Sequence, residues 1–330
     1  MRLTFSTLIL YSIISLAINA LSCKDETGTD IPTWSIMKLP KGTDYYYYDT
    51  NNGFSFSSHS LNDTMEGALS HTMAQLWSQT TQYVLYNDEP PNQITYNFSV
   101  AHSKAIWMWD EESAILITHS IPKFPRGPKE TPKYEALMSN AYIYGQALSC
   151  IPVSLNALPN ALKVVQESVP DIYEESCETC YHLNVTTTYD SIQEKANSNQ
   201  CDINTIDDKY QQIMKPSTVE LDIYSSCISP YYASDIKVES WVHGTMDGPY
   251  CPPKYKYETL DIKSLKFPEG QTYTEYDDHS KWAILNSPTV CFGDLNRVTS
   301  QFIRAGTVYC WDDETLWSTL NKLIQTTDYC

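Results

Sequence analysis

Two identical tripeptides carry the side chains that phosphate chemistry needs. His102-Ser103-Lys104 returns unchanged as His279-Ser280-Lys281. An imidazole can serve as nucleophile, acid or base, and an ammonium beside it opposes the charge of a phosphoryl oxygen. Alternate residues share a face of an extended strand, so each histidine lies on the face of its own lysine. A single HxK arises readily on any exposed polar strand, whereas two identical copies in the same setting point to a site. Seventeen positions after each leading histidine stands a further polar side chain, His119 in the first copy and Asn296 in the second. The spacing predicts two half-sites, each of one imidazole, one ammonium and one supporting group, converging on phosphate.

Positioning these groups falls to two hairpins. Each motif is followed by an apolar run, a polar break and a second apolar run: residues 105–109, 110–113 and 114–118, then 282–285, 286–288 and 289–292. The returning strand would bring its far end, with His119 or Asn296, back beside the leading histidine. Trp107 and Trp109 have the opposite parity, as does Trp282, which predicts packing against a helix rather than stacking on bases. Strand-like runs occur at 34–39 and 82–86. Helical spacing covers 65–79, 134–148, 157–165 and 316–324. The polar, cysteine-bearing stretch 167–204 is a natural join. The architecture expected is α/β (α+β): two pseudo-symmetric layered sheet and helix halves, 21–165 and 166–330, with the site at their interface.

The 330 residues begin with a segment unlike the rest. Arg2, an apolar run at 8–16 and a small residue before Leu21 predict a secretory signal at 1–20, too short to span a bilayer. No later stretch is long and apolar enough to cross one. Ten cysteines follow, an even number, which in an exported chain predicts disulfides. The alternative is a zinc site of Cys177, Cys180, Cys201 and Cys227; oxidising export favours bridges. Sequons at Asn62, Asn97 and Asn184 agree with a glycosylating route. The expected destination is the secretory pathway, either secreted or lysosomal. His59, His71, His182 and His243 have no motif around them and read as surface or structural residues. No HExxH, EF-hand, GxSxG or P-loop pattern is present, so neither metal nor cofactor is expected. The net charge of −18 repels nucleic acid at neutral pH, but near the sequence pI of about 4.7 that repulsion largely disappears.

The two HSK hairpins resemble the HxK motifs of the phospholipase D superfamily, whose two motifs meet at one active site. That pattern has an asparagine where His119 and Asn296 stand, and Gly293-Asp294-Leu295-Asn296 is similar to its closing segment. The aspartate usual seven positions after the histidine is absent, with Trp109 and Asn286 in its place. A closer resemblance, over nearly the whole mature chain, is to deoxyribonuclease II. It rests on Leu85-Tyr86-Asn87-Asp88-Glu89-Pro90-Pro91, Thr118-His119-Ser120-Ile121-Pro122-Lys123-Phe124-Pro125, Tyr144-Gly145-Gln146-Ala147-Leu148-Ser149-Cys150, Asp278-His279-Ser280-Lys281-Trp282 and Cys291-Phe292-Gly293-Asp294-Leu295-Asn296-Arg297, with Leu21-Ser22-Cys23 and residues 34–40.

The resemblance implies a metal-independent acid endonuclease that cuts DNA to 3′-phosphate ends. By analogy His102 is the nucleophile, His279 the acid and then the base, and Lys104 and Lys281 hold phosphate oxygens with His119 and Asn296. The near-symmetric hairpins leave an exchange of roles open. The disulfides it implies are Cys23–Cys150, Cys251–Cys330 and Cys291–Cys310, while the pairing of the four central cysteines stays open. Two other readings remain: an exported, weakly active or inactive relative that binds nucleic acid or a host protein, and a phospholipid diesterase. A homodimer is compatible with the sequence.

Overall fold

The computed structural model describes residues 20–93, 99–176, 201–242, 244–245 and 248–330. The expected signal segment up to residue 19, the sequons at Asn97 and Asn184, and Cys177, Cys180, His182 and His243 lie outside the described residues. Asn62 is half-buried in a turn.

After a short ribbon of β1 (Cys23–Lys24) and β2 (Asp30–Ile31), eight strands form one sheet: β3 (Trp34–Lys38), β4 (Tyr45–Asp49), β5 (Gly53–Phe56), β6 (Gln82–Asn87), β7 (Lys104–Trp109), β8 (Ala114–His119), β9 (Gln146–Val153) and β10 (Ile172–Glu175). Their spatial order is β10-β6-β7-β8-β9-β3-β4-β5. A nine-stranded sheet follows: β11 (Asp202–Asp207), β12 (Tyr210–Lys215), β13 (Ile236–Ser240), β14 (Thr259–Lys266), β15 (Thr272–Thr274), β16 (Lys281–Leu285), β17 (Thr289–Gly293), β18 (Gly306–Asp312) and β19 (Ile324–Thr327). Its order is β11-β12-β18-β17-β16-β13-β14-β15, with β19 also on β14.

Both hairpins form, and their apolar residues divide by parity. Ala105, Trp107 and Trp109 of β7 enter a core shared by both sheets, while Ile106 and Met108 enter a second core with Leu69 and Met73 of the helix Ala68–Ala74. The tyrosine run splits likewise, Tyr46 and Tyr48 inward and Tyr45 and Tyr47 outward. In β17, Val290 and Phe292 face the shared core and Cys291 a third, outer core. Strands apolar on both faces are what a sheet covered on both sides requires. The two sheets therefore pack face to face, flanked by few helices, in the layered α+β arrangement of the phospholipase D-like fold. Trp107 meets Tyr309 of β18 edge-on at 6.3 Å, in a core that the helix Leu158–Glu167 shares.

The helix Glu314–Leu323 is fixed by Asp313, whose carboxylate accepts the Leu316 amide at 3.0 Å and the Tyr48 hydroxyl at 2.8 Å. One helix expected from the sequence is not one. Residues 134–148 give a short 3-10 turn, Ser139–Tyr142, and then β9. β9 fills the place between β8 and β3 and pairs with both. Ladder hydrogen bonds on two sides, with Ala147 facing one core and Leu148 the other, outweigh local helical periodicity.

Disulfides join Cys23 to Cys150, Cys251 to Cys330 and Cys291 to Cys310. Cys201 pairs with Cys227, which settles part of the central set as a bridge. No described helix is long and apolar enough to cross a membrane.

Candidate active site

The motif lysines open their strands, and each histidine stands two residues before, at the sheet edge where the two halves meet. The ladders relate the halves residue by residue. Asn87 pairs with Lys104, and Ser240 with Lys281. Extending the hairpin registers by one step places His119 opposite Lys104 and Gly293 opposite Lys281. The third strands, β9 and β18, then bring Gly145 and Ala305 into equivalent places. This corrects one expectation. The second hairpin is three residues shorter, so equal spacing along the sequence does not give equal register. His119 ends β8, whereas Asn296 lies three residues beyond the end of β17. Asn296 is buried, with its Oδ1 lacking a hydrogen bond.

Each histidine is held by the other half. The His102 amide donates to Ala305 O at 2.9 Å, and the His279 amide donates to Gly145 O at 2.9 Å. His102 Nδ1 lies 2.5 Å from Asp294 O, and His279 Nδ1 lies 3.4 Å from Ser120 O. Asp294 and Ser120 are equivalent positions in the two hairpins. A backbone carbonyl only accepts, so each Nδ1 carries the proton and each Nε2 is left for chemistry. A crevice between the halves is lined by His102, Lys104, His119, Ser120, Lys281, Gly293 and Asp294.

Burial dominates the charges here. It pushes His102 well below its ordinary pKa, opposed by Asp88 and reinforced by Lys104, Lys281 and Arg304. It pushes His279 down likewise, with Lys281 and Lys104 adding to the effect. His119 falls to about 3 through burial and the nearby Lys104. Lys281, whose Nζ donates to His279 O at 2.7 Å, drops to about 7 through burial and the nearby Lys104. Burial raises Asp294 to about 7, although its carboxylate accepts the amides of Lys104 and Thr307 at 3.2 Å each. Among the described residues no group of three or more His, Cys, Asp or Glu side chains has a metal-holding arrangement. His102, His119 and two amines line the crevice, and His279 lies within the field of both amines and of His102; such a set can attack a phosphorus centre, protonate a leaving oxygen and oppose charge on the others.

The family model of Deoxyribonuclease II matches residues 22–330. The chain belongs to the deoxyribonuclease II family. It is similar to Deoxyribonuclease-2-alpha of Rattus norvegicus, at 26% identity over 98% of this chain and 99% of the rat protein. Cell death-related nuclease 6 of Caenorhabditis elegans is 26% identical over 97% of this chain and 92% of its own. Deoxyribonuclease-2-beta of Homo sapiens is 26% identical over 100% and 97%. Family membership makes the chain a deoxyribonuclease II-type hydrolase.

In this deoxyribonuclease II member three buried groups complete the site without having stood out in the sequence reading. Asp88, one residue past β6, pairs with Lys104 Nζ, lies 3.1 Å from Arg304 Nη2 and 3.9 Å from His102 Nε2. Burial alone would raise Asp88, but Lys104, His102 and Arg304 hold it well below the usual carboxylate range. Asp88 has a sequence signal, since it sits between a strand and two prolines, where a sharp stop leaves a side chain at a sheet edge. Arg304 has none; it arrives only through the fold, 216 residues away. Asp294 acts through a backbone carbonyl, which no residue type announces.

Proposed function

We propose that the protein is an acid endonuclease that hydrolyses DNA to 3′-phosphate ends without a metal. The observation that carries this reading is the exchanged clamp: each imidazole is fixed through Nδ1 by a carbonyl of the other half, and the charges of Lys104 and Lys281 act on both rings. His102 Nε2 attacks phosphorus, the P–O5′ bond breaks, and His279 gives its Nε2 proton to the departing 5′-oxygen. A phosphohistidine remains. His279, now neutral, takes a proton from water as the water's oxygen bonds phosphorus; the P–N bond breaks, releasing the 3′-phosphate and neutral His102. Lys104 and Lys281 oppose charge on the non-bridging oxygens, helped by His119. The cycle consumes one water and restores every proton.

The environment of each histidine supports this division. Asp88 is already paired with Lys104 and Arg304, so the group facing His102 carries net positive charge and disfavours an imidazolium. A neutral imidazole is the nucleophilic form. His279 must be charged to act as acid, and burial opposes that, so the reaction demands low pH. Falling pH also removes the repulsion of a chain with net charge −18 for a polyanion. The disulfides fit an oxidising compartment, consistent with a secreted or lysosomal enzyme.

The test is plasmid nicking at pH 5 and pH 7.5, with and without chelator, followed by analysis of the new ends. Cutting at acid pH that survives chelator and leaves 3′-phosphates is the expected result. Loss in chelator, reversed by magnesium or zinc, would overturn the metal-free route, and binding without cutting would favour a non-catalytic relative.

A further inference from the structure

The two halves match closely in backbone register and differ sharply in the side chains around each histidine. Asp88 follows the strand paired to the first motif, and Trp241 occupies the same step after β13. Arg304 stands two residues before β18, and Tyr144 stands two residues before β9. By register, Trp241 is therefore the counterpart of Asp88, and Tyr144 of Arg304. His102 has a carboxylate and a guanidinium where His279 has two aromatic rings.

Those rings hold His279 between them. The Trp241 ring meets the imidazole at 4.2 Å in a T-shaped contact, and the Tyr144 ring stacks against it at 5.7 Å. Tyr144 and Trp241 are themselves 5.7 Å apart, inclined at 61°. The imidazole is buried, whereas both aromatic side chains are half-buried and reach the surface. They form an L-shaped corner beside the reacting imidazole, one ring supplied by each half of the chain.

DNA offers such a corner its bases. Stacking of a base on an aromatic ring needs no charge and tolerates every base. It suits a protein whose net charge of −18 gives little general attraction for a polyanion. We infer that Tyr144 and Trp241 form a nucleobase platform, which seats the base of the nucleotide whose 5′-oxygen leaves. This rests on the nuclease reading above, in which His279 protonates that oxygen. The base attached to the leaving nucleotide is the one brought beside His279, and on the His102 side the two equivalent register positions hold Asp88 and Arg304 in place of rings. Trp107 and Trp109, which follow the first motif on β7, are buried in the inter-sheet core and unavailable for this role.

The experiment uses the full chain and a single-stranded oligonucleotide carrying one abasic residue, with every cleavage position quantified. Wild-type enzyme should cut the phosphate on the 5′ side of the abasic residue roughly 5- to 150-fold more slowly than the same phosphate in the intact oligonucleotide. The phosphate on its 3′ side should be cut at the ordinary rate. Trp241→Ala and Tyr144→Ala should lower kcat/KM on intact DNA and reduce the discrimination against the abasic position, while Trp241→Phe keeps it. Equal cutting on the 5′ side of abasic and normal residues by the wild type would overturn the platform. So would full discrimination retained in Trp241→Ala. The wild-type measurement stands even where a variant fails to fold. Absence of cutting at every position would overturn the nuclease reading itself, which is distinct from loss of selectivity at one phosphate.

Discussion

His102 Nδ1 lies 2.5 Å from the carbonyl oxygen of Asp294, a residue 192 positions away in the other half of the chain. That contact sets the tautomer of His102, the proposed nucleophile, and the mirrored contact of His279 with Ser120 sets that of the proposed acid. His102→Ala and His279→Ala should each lower DNA cutting by about 10³-fold or more, with little further loss in the double variant, because the two act as a unit. A p-nitrophenyl phosphodiester separates the roles, since its leaving group needs no proton. His279→Ala should release a burst of nitrophenol and accumulate phosphohistidine, and His102→Ala should not. The reverse pattern would exchange the assignments.

Asp88 is fully buried against Lys104 and Arg304. Asp88→Asn leaves two buried cations without their carboxylate. A loss of about 3–5 kcal/mol is expected from breaking a buried pair by removing one partner. Denaturant unfolding measures it, and a change under 1 kcal/mol would show that the cluster contributes little to the docking of the halves.

Gly145 adjoins Asp278 so closely that a Cβ would sit 2.7 Å from its Oδ1. The same glycine bridges to Asp278 and accepts the His279 amide. Gly145→Ala should therefore displace His279 while the sheets persist. A displacement near 1 Å at a reacting group costs on the order of 10²-fold in rate, so kcat should fall far more than melting temperature. Retention of wild-type kcat would remove Gly145 from the positioning of His279.

The pH profile of kcat should fall as pH rises toward neutrality, because His279 loses its proton at a pKa depressed by burial. At the acid end it should fall again as His102 is protonated. The two histidines titrate as a coupled pair, so the limbs belong to the pair. Salt should recover binding at neutral pH without recovering kcat, since a surface field is screened within about 8 Å at physiological ionic strength. A kcat flat from pH 5 to 8 would withdraw His279 as acid.

Glu239 on β13 is fully buried, and both its oxygens lack hydrogen bonds. Burial, with Asp278, Glu275 and Asp261 nearby, raises its pKa well above the usual value. The folded protein keeps this proton at pH values where the unfolded chain has lost it, so its contribution to stability is full below the ordinary glutamate pKa and is lost as pH rises. Glu239→Gln should raise the melting temperature at pH 7 relative to wild type and change it much less at pH 4. An equal shift at both values would show that the proton is not retained.

The motif residues, their pairing across two halves and the hairpins were legible because strand parity and repetition are properties of the sequence itself. The spacing that carries His119 back to Lys104 does not carry Asn296 back to Lys281, because the second hairpin is three residues shorter. Residues 134–148 read as helix because the partners on both sides of β9 are distant in the chain. Arg304, Trp241 and Tyr144 gain their meaning only when two sheets meet. The carbonyls of Ser120 and Asp294 have no sequence signature at all.

The exchanged clamps also govern timing. While the chain is being synthesised, the first half carries His102 and Lys104 but lacks Asp294, Arg304 and Ala305, which come from the end of the second half. On the proposed mechanism the chain gains competence only once Asp294, Arg304 and Ala305 have docked on the first half. A chain ended before Asp294 should be without activity even where its first sheet folds, and measurable cutting by such a fragment would refute this latency.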